Sequence, residues 1–407
     1  KYEINNLVSL PTKVFGEADL DTMICIATKL PFLEGAITKV IKVKINSQEG
    51  ISNAKTQFLQ QIIWHNYPTK RMDLNYNPEI DTLLKRIEGL SVRLIEICKV
   101  SQGIVPYAKE EFYRIYPKEE ADRIVNMRLW HSDHQVDETF KKELRGEDVT
   151  RYQVIWNGTQ WIKYGNWLAR PRTPEFFTRS RLLIREITRG DKLNAGFTDE
   201  EFYNNPGIIN VISNSQDYDL KYLLSIVNST LAFFYHKHKS PKAALVTSIP
   251  KILVGDVEHI PIRRTTFTTP ENERRQLFDE AKQLYENSLS QGNPDTLLEF
   301  VEHQLTQTPE RADVAHDLLA FLAEQMIALN KAKQAEITGF LTWLERHIGA
   351  KVDDLSNKTT IQAYYESDLG TLLDILRKNR RKLRVDPATR TVQEPLETEF
   401  ITSVAKL

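Results

Sequence analysis

Short β-rich runs open the chain and then give way to helical spacing. Three runs rich in β-branched and apolar residues predict strands at residues 5–10, 23–28 and 37–45. From about residue 47 to residue 100, apolar positions recur every three or four residues, which predicts two helices separated near Pro68 and Pro78. We interpret this stretch as a helical linker whose packing face covers residues 83–94.

A second β-rich region begins at Gly103, and a helical region follows Pro261. In the β-rich region, the pattern predicts strands at 104–107, 154–156, 161–162, 182–187 and 208–212, and a helix at 220–235. Beyond Pro261, helical periodicity predicts helices at 272–288, 296–304, 311–347 and 364–377. The predicted fold class is therefore α+β, divided into residues 1–46, 47–102, 103–265 and 266–407.

Composition sets only loose bounds on this picture. The 407 residues are 41% hydrophobic and 27% charged, which fits two or three globular domains and excludes a disordered or fibrous chain. No run approaches the roughly 18 apolar residues that span a bilayer, and the first residues of this sequence do not have a signal-peptide pattern. Cys25 and Cys98 each lie in an apolar run, so we expect buried thiols in a reducing compartment, by default the cytoplasm. Without an initiator Met, the chain is expected to begin inside a larger protein.

Charge is distributed unevenly although the formal net charge is only −1. Residues 141–192 contain twelve Lys or Arg against six Asp or Glu. A local surplus of this kind favours contact with phosphate, although solvated surface strands would also account for it.

Seven short motifs follow one another through the β-rich region. They are Gly-Ile-x-Pro-Tyr at 103–107, Gly-x-Asp-Val-x-Arg-Tyr at 146–152, Trp-x-x-Tyr-Gly at 161–165, Arg-x-Pro-Glu-x-Phe at 172–177, Leu-Ile-Arg-Glu-Ile at 183–187, Tyr-Leu-Leu-Ser-Ile-Val-Asn-Ser at 222–229, and His-Ile-Pro-Ile at 259–262. In this order they resemble the TaqI-like C-terminal specificity domain. That domain is the target-recognition domain of adenine N6 DNA methyltransferases and of fused type IIG restriction-modification enzymes. The resemblance covers about two fifths of the chain and implies that double-stranded DNA is the partner.

The N-terminal segment 10–26 resembles the tail of an adenine methyltransferase domain, where a last hairpin closes the sheet downstream of the catalytic loop. On this interpretation residues 1–46 are the end of a methyltransferase domain, whose upstream part is an expected partner. An ordinary hairpin joined by a polar loop is the alternative for the same residues. The helical region 266–407 is similar to the C-terminal part of bacterial fused restriction-modification methylases.

For a specificity domain, phosphate contacts supply affinity and base-edge contacts supply discrimination. The arginines in loop-like sequence are assigned to phosphate: Arg145, Arg170, Arg172, Arg179 and Arg181. The residues in and after the strand at 182–187 are assigned to base edges: Arg185, Arg189, Lys192 and Asn194. For Arg185, an internal ion pair with the neighbouring Glu186 is the competing interpretation. Trp156, Trp161 and Tyr164 are predicted to pack between strands rather than to stack on bases.

A second basic cluster lies near the C-terminus and contains six basic residues in the eight positions 377–384. Either it adds a DNA contact, through Arg377, Lys378, Arg380 and Arg381, or its charges complement the dipole at the end of a helix.

Catalytic chemistry is missing from the chain, so we assign no catalytic and no metal-binding residues. The resemblance implies S-adenosylmethionine as cofactor of the parent enzyme, but neither the Asn-Pro-Pro-Tyr loop that grips the flipped adenine nor a Gly-rich cofactor loop is present. Asp279 to Lys282 has Glu-x-Lys nuclease spacing but lies in a predicted helix, and the paired histidines at 131, 134, 236 and 238 are interpreted as surface or loop residues.

Two hypotheses remain after these exclusions. The chain is the C-terminal part of an adenine N6 methyltransferase or type IIG enzyme, with or without a fused nuclease. Alternatively, it is a stand-alone specificity subunit like those of type I systems, without activity of its own. Segment 10–26 discriminates between them, because a pure specificity subunit should lack methylase-like sequence. A helical scaffold unrelated to DNA would require the ordered motifs to be coincidental.

Overall fold

The computed structural model describes residues 2–10, 14, 22–30, 33–43, 53–66, 72, 74, 76–188, 190–240 and 250–407. Within these residues the strands are β1 Glu3–Ser9, β2 Met23–Thr28, β3 Ile37–Lys42, β4 Lys55–Gln60, β5 Ser91–Arg93, β6 Cys98–Gln102, β7 His131–Ser132, β8 Phe140–Leu144, β9 Val149–Thr150, β10 Gln153–Val154, β11 Trp161–Lys163, β12 Arg181–Arg185, β13 Ala195–Thr198, β14 Tyr203–Asn204, β15 Ile208–Ser213 and β16 Pro261–Arg263.

The described α-helices are α1 Gln61–Asn66, α2 Pro78–Gly89, α3 Leu94–Ile97, α4 Lys109–Phe112, α5 Lys118–Asn126, α6 Glu175–Thr178, α7 Leu220–Val227, α8 Thr230–Lys239, α9 Val254–Glu258, α10 Glu271–Gln291, α11 Asp295–Leu305, α12 Ala312–Ile348, α13 Lys358–Gln362, α14 Leu369–Lys378 and α15 Arg390–Val404. Short 3-10 turns lie at Gly146–Asp148, Val352–Asp354, Tyr364–Glu366 and Arg380–Lys382. The predicted α+β class is confirmed. In the described part of the chain, no helix has both the length and the apolar character needed to cross a membrane.

The chain folds into two compact units that do not follow the sequence continuously. The first contains Lys1–Val100, Glu186–Lys192 and Thr230–Arg264, and the second contains Ser101–Arg185, Leu193–Ser229 and Thr265–Leu407. The four predicted domains stay predictions.

The first unit contains a four-stranded sheet in the order β2-β1-β3-β4. Strand β1 pairs antiparallel with β2 and parallel with β3, which pairs antiparallel with β4. Leu7, Val40 and Leu59 fill one face of the sheet and pack with Trp64. Strand β2 coincides with the predicted run 23–28, but Cys25 is exposed there, so the expectation of two buried thiols is wrong for this cysteine.

The linker predicted to be helical contains the strand β4, which pairs antiparallel with β3. Leu59 is buried while the adjacent Phe58 is 66% exposed, as a sheet with one covered face requires. Helix α2 then begins where predicted, with the Asn77 side chain accepting from the first turn. Its predicted packing face is only partly confirmed, since Leu84 is buried but Leu83 is exposed. The helix ends at Gly89, because β5 follows and pairs with β16.

In the second unit, β12 lies between β13 and β15 with antiparallel pairing on both sides. Another sheet has the order β14-β8-β11-β7. The region 104–107, predicted as a strand, makes one isolated bridge through Val105 to Arg170. The helix predicted at 220–235 is two helices, α7 and α8, because the chain turns at Asn228.

The C-terminal part of the second unit is helical, as the periodicity predicted. Helices α10, α11 and α12 share a core formed by Ala281, Leu297 and Leu318. The last turns of α12 pack with α13, α14 and α15 around Phe340 and Tyr364, whose rings stack with centroids 3.9 Å apart. Between the helices predicted at 311–347 and 364–377 lies the short helix α13, which was not predicted.

Candidate nucleic-acid interface

Arg181 is fully buried, and this placement does not fit the predicted phosphate contact. Its guanidinium donates to the carbonyl oxygens of Arg179 at 2.9 Å, Glu200 at 3.0 Å and Phe202 at 2.7 Å. Burial lowers the pKa of Arg181 to about 10. Carbonyl groups accept from both terminal nitrogens of the guanidinium, while Nε is buried without a hydrogen-bond partner, so Arg181 holds two loops to the start of β12 rather than facing solvent.

The other four phosphate candidates reach the surface or its margin. Arg170 pairs with Glu111 while its side chain stays 54% exposed. Arg172 is half-buried and donates to the carbonyl oxygen of Gly103 at 3.4 Å. Arg179 is 52% exposed and donates to the Ser213 carbonyl oxygen at 3.3 Å. These partners orient the side chains but leave much of each charge available to solvent and to phosphate.

The Arg185 side chain lies close to Gly146, the residue that follows Arg145. A β-carbon placed on Gly146 would lie 3.9 Å from Cγ of Arg185, which is ordinary contact. Arg145 is half-buried, and its backbone N–H donates to the Asp148 carboxylate at 2.7 Å. Burial raises the pKa of Asp148. The structure therefore brings one predicted phosphate residue close to one predicted base-contacting residue.

The four base-edge candidates are distributed over both units. Arg185 and Asn194 belong to the second unit, where the Arg185 N–H donates to the Asn194 carbonyl oxygen at 2.9 Å. Lys192 is exposed in the first unit, and Arg189 lies outside the described residues. Glu186, the suggested internal partner of Arg185, forms an ion pair with Lys251 at 3.5 Å.

The last two residues of the Gly-x-Asp-Val-x-Arg-Tyr motif form hydrogen bonds with the backbone of two segments that are distant in sequence. Arg151 donates to the Asn228 carbonyl oxygen at 2.8 Å, and the Tyr152 N–H donates to the Ala195 carbonyl oxygen at 2.7 Å. Tyr152 has a φ of 61°, a left-handed conformation that a bulky side chain adopts only when its surroundings enforce it. Sequence analysis placed Asn228 inside the helix predicted at 220–235 and quoted it only as part of the motif at 222–229, so its position as the C-terminal cap of α7 was missed.

The Gly-Ile-x-Pro-Tyr motif also has a structural role in this unit. The Tyr107 hydroxyl accepts from the Trp130 N–H at 2.9 Å and lies 2.8 Å from Nδ1 of His131. Nε2 of His131 lies 3.1 Å from the buried Glu143 carboxylate, which accepts its hydrogen bond. Burial raises the pKa of Tyr107 to about 12. At Gly103, a β-carbon would lie 2.1 Å from the Asn205 carbonyl oxygen, so no side chain fits there.

The aromatic residues pack as the sequence predicted. Trp156 and Trp161 meet edge to face at 5.1 Å, and Tyr164 lies 4.4 Å from Tyr203. Their indole and phenol groups donate to backbone carbonyl oxygens, Trp156 to Gln160 and Tyr164 to Arg172. These rings are therefore engaged within the domain and are not presented to bases.

The histidines and the Glu-x-Lys pattern give no metal site. The described residues hold no group of three His, Cys, Asp or Glu side chains placed to bind a metal ion. His236 is buried, contrary to the surface interpretation, and burial lowers its pKa. Lys282 pairs with Asp279 at 2.6 Å on α10, as expected of a helix surface.

The C-terminal basic residues surround the end of α14. Arg377 and Lys378 occupy its last turn, where cations are favoured by the helix dipole. Arg377 pairs with Asp374 at 2.9 Å and Arg380 with Asp386 at 2.8 Å. Arg377, Lys378, Arg380 and Arg381 are all exposed. Both predicted roles are compatible with this arrangement.

A cleft of about 1070 Å³ separates β10 and β13 from α12 in the second unit. Tyr152, Phe197 and Trp343 contribute aromatic walls. The charged lining residues are three basic and three acidic side chains: Lys221, Lys331 and Arg346, and Asp199, Glu200 and Glu324. Because these charges balance, the cleft lacks the positive potential that a phosphate backbone requires.

Residues 141–262 match the family model described as the TaqI-like C-terminal specificity domain, which is less than a third of the chain. Comparison with curated proteins gives no match. Among solved structures, the chain is similar to the type IIG restriction endonuclease BpuSI at 9% identity and a TM-score of 0.32, over 67% of this chain and 38% of that one. It is also similar to the type IIL restriction-modification enzyme MmeI in complex with DNA at 11% identity and a TM-score of 0.32, over 80% and 43%.

The HsdS subunit from Thermoanaerobacter tengcongensis is similar at 12% identity and a TM-score of 0.28, over 61% of this chain and 50% of that one. The chain spans less than half the length of the BpuSI and MmeI structures. TM-scores of 0.28 and 0.32 are too low to support a conclusion about this chain, so the assignment depends on the family match alone. Residues 141–262 therefore match the TaqI-like C-terminal specificity domain, a DNA-recognition domain of restriction-modification systems, as the ordered motifs predicted.

Proposed function

We propose that this chain recognises a specific sequence in double-stranded DNA for an adenine N6 methyltransferase of a restriction-modification system. The observation that carries the proposal is the match of residues 141–262 to a specificity-domain family. The surface arginines of the same segment supply the electrostatic contact that every DNA-binding surface needs: Arg145, Arg170, Arg172 and Arg179.

Base discrimination is assigned to the connection between β12 and β13. Arg185 lies at the end of β12 and Asn194 immediately before β13. Arginine pairs with the O6 and N7 atoms of guanine, and asparagine with the N6 and N7 atoms of adenine, in the major groove. Lys192 adds an exposed donor between them in the sequence, and Arg189 keeps its predicted role.

The methyl-transfer chemistry belongs to an upstream methyltransferase domain in this proposal. The sequence has no Gly-rich cofactor loop, and among the described residues the direct β4–α1 junction at Gln60 and Gln61 has no glycine turn that could hold S-adenosylmethionine. The cofactor site and the pocket for the extruded adenine are therefore assigned to that domain. The specificity domain and the pocket must enclose the DNA together, because a base inside a duplex is inaccessible to the enzyme.

The stand-alone specificity subunit is the second candidate. The antiparallel pair of β1 and β2 supports the first arrangement, since a last hairpin of a methyltransferase sheet was expected at residues 10–26. Most of the connecting segment, residues 11–13 and 15–21, lies outside the described residues. Co-purification from the native host separates the two: the first arrangement gives one polypeptide with methyltransferase activity, and the second gives separable subunits.

Selection from a pool of random duplex DNA at low and moderate salt tests the proposed function directly. We expect enrichment of an asymmetric motif of several base pairs. Arg179→Ala should weaken specific and nonspecific binding alike and flatten the salt dependence. Arg275→Ala is the matched control, because Arg275 also pairs with a glutamate four residues away but lies on α10 outside the matched segment. Retention of DNA without an enriched motif, or absence of binding at both salt concentrations, would refute the proposal.

A further inference from the structure

Asn228 makes an unusual connection to the start of β13. Its side chain is buried, and its amide forms two hydrogen bonds with one residue, Ala195. Oδ1 of Asn228 accepts from the Ala195 N–H at 3.0 Å, and Nδ2 donates to the Ala195 carbonyl oxygen at 3.0 Å. The carboxamide thus bonds to β13 as a neighbouring strand would, with one donor and one acceptor.

Two further hydrogen bonds converge on the same place. Arg151 donates to the Asn228 carbonyl oxygen at 2.8 Å, where the end of α7 leaves an acceptor without a helical partner. The Tyr152 N–H donates to the Ala195 carbonyl oxygen at 2.7 Å. We name this group, Arg151, Tyr152, Ala195 and Asn228, the β13 clamp.

The clamp lies next to the predicted base contacts. Ala195 directly follows Asn194, and the Asn194 carbonyl oxygen accepts from the Arg185 N–H at 2.9 Å. The ends of a β-connection ordinarily fray, because they lack the pairing that holds the strand interior. Here the clamp supplies hydrogen bonds to the start of β13 from Asn228, at the end of α7, and from Tyr152, just before β10. An amide is required at position 228, because aspartate has no donor and alanine has neither donor nor acceptor.

We propose that Asn228, supported by Arg151, is a positioning residue that fixes Asn194 and Arg185 in the geometry needed to discriminate bases. This inference rests on the proposed function. It assigns the Gly-x-Asp-Val-x-Arg-Tyr motif to specificity through backbone placement rather than through contact with DNA. Loss of the clamp lowers the preference for the cognate sequence while leaving phosphate contact intact. None of the arginines assigned to phosphate belongs to the clamp: Arg145, Arg170, Arg172 and Arg179.

The chain contains a matched control for the substitution of Asn228. Asn379 is also buried at the end of a helix and also brackets one residue, accepting from the Ser356 N–H at 2.9 Å and donating to the Ser356 carbonyl oxygen at 3.2 Å. Asn228→Ala and Asn379→Ala therefore each remove such a pair of bonds, and Asn379→Ala also removes the bond that Nδ2 donates to the Ile375 carbonyl oxygen at 2.9 Å. A purely structural role predicts the same consequences for both variants.

The test combines hydrogen exchange with DNA binding on the full chain. Asn228→Ala is expected to speed amide exchange of residues 193–198 at least about tenfold and to lower the ratio of cognate to nonspecific affinity at least about tenfold. Its salt dependence should stay that of the wild type. Asn379→Ala should change neither the amide exchange of residues 193–198 nor the ratio of cognate to nonspecific affinity. Arg151→Lys should lower this affinity ratio less than Arg151→Ala does.

The outcomes separate the inference from the function on which it rests. A wild-type chain that selects no sequence refutes the proposed function, whereas the exchange measurement still decides whether the clamp orders residues 193–198. A wild-type chain that selects a motif, together with an Asn228→Ala variant of unchanged ratio, overturns the inference. Equal loss of ratio in Asn228→Ala and Asn379→Ala also overturns it, because global destabilisation would then be the cause.

Discussion

Replacing the buried Arg181 by methionine tests how the specificity domain is held together. The substitution keeps most of the side-chain length and removes the guanidinium. Three carbonyl oxygens then lose their donors, those of Arg179, Glu200 and Phe202. Each buried polar group without a partner costs about 1–3 kcal/mol, so three cost about 3–9 kcal/mol, and removing the buried charge recovers part of that sum. We expect the free energy of unfolding to fall by about 3–5 kcal/mol.

Urea unfolding followed by tryptophan fluorescence measures this change, because Trp156 and Trp161 both lie in the affected domain. Among molecules that remain folded, the salt dependence of DNA binding should equal that of the wild type, since Arg181 is fully buried. Arg179→Ala should show the opposite pattern, with stability changed by less than about 0.5 kcal/mol and the salt slope reduced by about 0.9. A stable Arg181→Met variant with a reduced salt slope would refute this assignment.

Three further predictions follow from single side chains. Burial alone would raise the pKa of Asp317, but hydrogen bonds from a neighbouring histidine and from Arg274 outweigh it and lower the pKa. Asp317→Asn should therefore cost about 1–3 kcal/mol at pH 7, with the difference from wild type shrinking below about pH 4, as measured by urea unfolding across pH. A thiol reagent at pH 8 should modify the exposed Cys25 rapidly and Cys98 only after unfolding, since burial raises the pKa of Cys98 to about 12; equal rates in the native state would contradict this. Lys192→Ala should weaken cognate binding more than nonspecific binding, and equal loss on both DNAs would remove Lys192 from the base-contacting set.

The sequence predicted strands and helices best where the apolar pattern was long or strongly periodic. The run 23–28 and the helix spanning 311–347 correspond closely to β2 and α12. The strand β4 was missed, because its apolar pair Phe58 and Leu59 lies three to five residues before Ile62 and Ile63 of α1, which is helical spacing. The apolar positions of the strand and of the helix therefore fit one helical pattern, and the strand could not be separated from the helix by spacing alone.

Two arginines of the candidate site show that local sequence did not predict which side chain is buried. Arg179 and Arg181 are two residues apart in similar sequence, and both were assigned to phosphate. In the structure one is 52% exposed and the other is fully buried. The difference arises from the carbonyl groups of Glu200 and Phe202, which a connection about twenty residues away brings to Arg181. No local pattern encodes that convergence.

By itself the sequence determined the α+β class, the order of the specificity-domain motifs and the segment that carries the basic surplus, because each depends on residue types close together in the chain. Only the tertiary structure decided what the motif residues do. It directed Arg151 to the Asn228 carbonyl and Arg181 to three other carbonyls, and it left Arg170 and Arg179 at the surface. The physical reason is that a polar side chain takes its role from the groups that solvate it, and in a folded domain those groups come from distant segments.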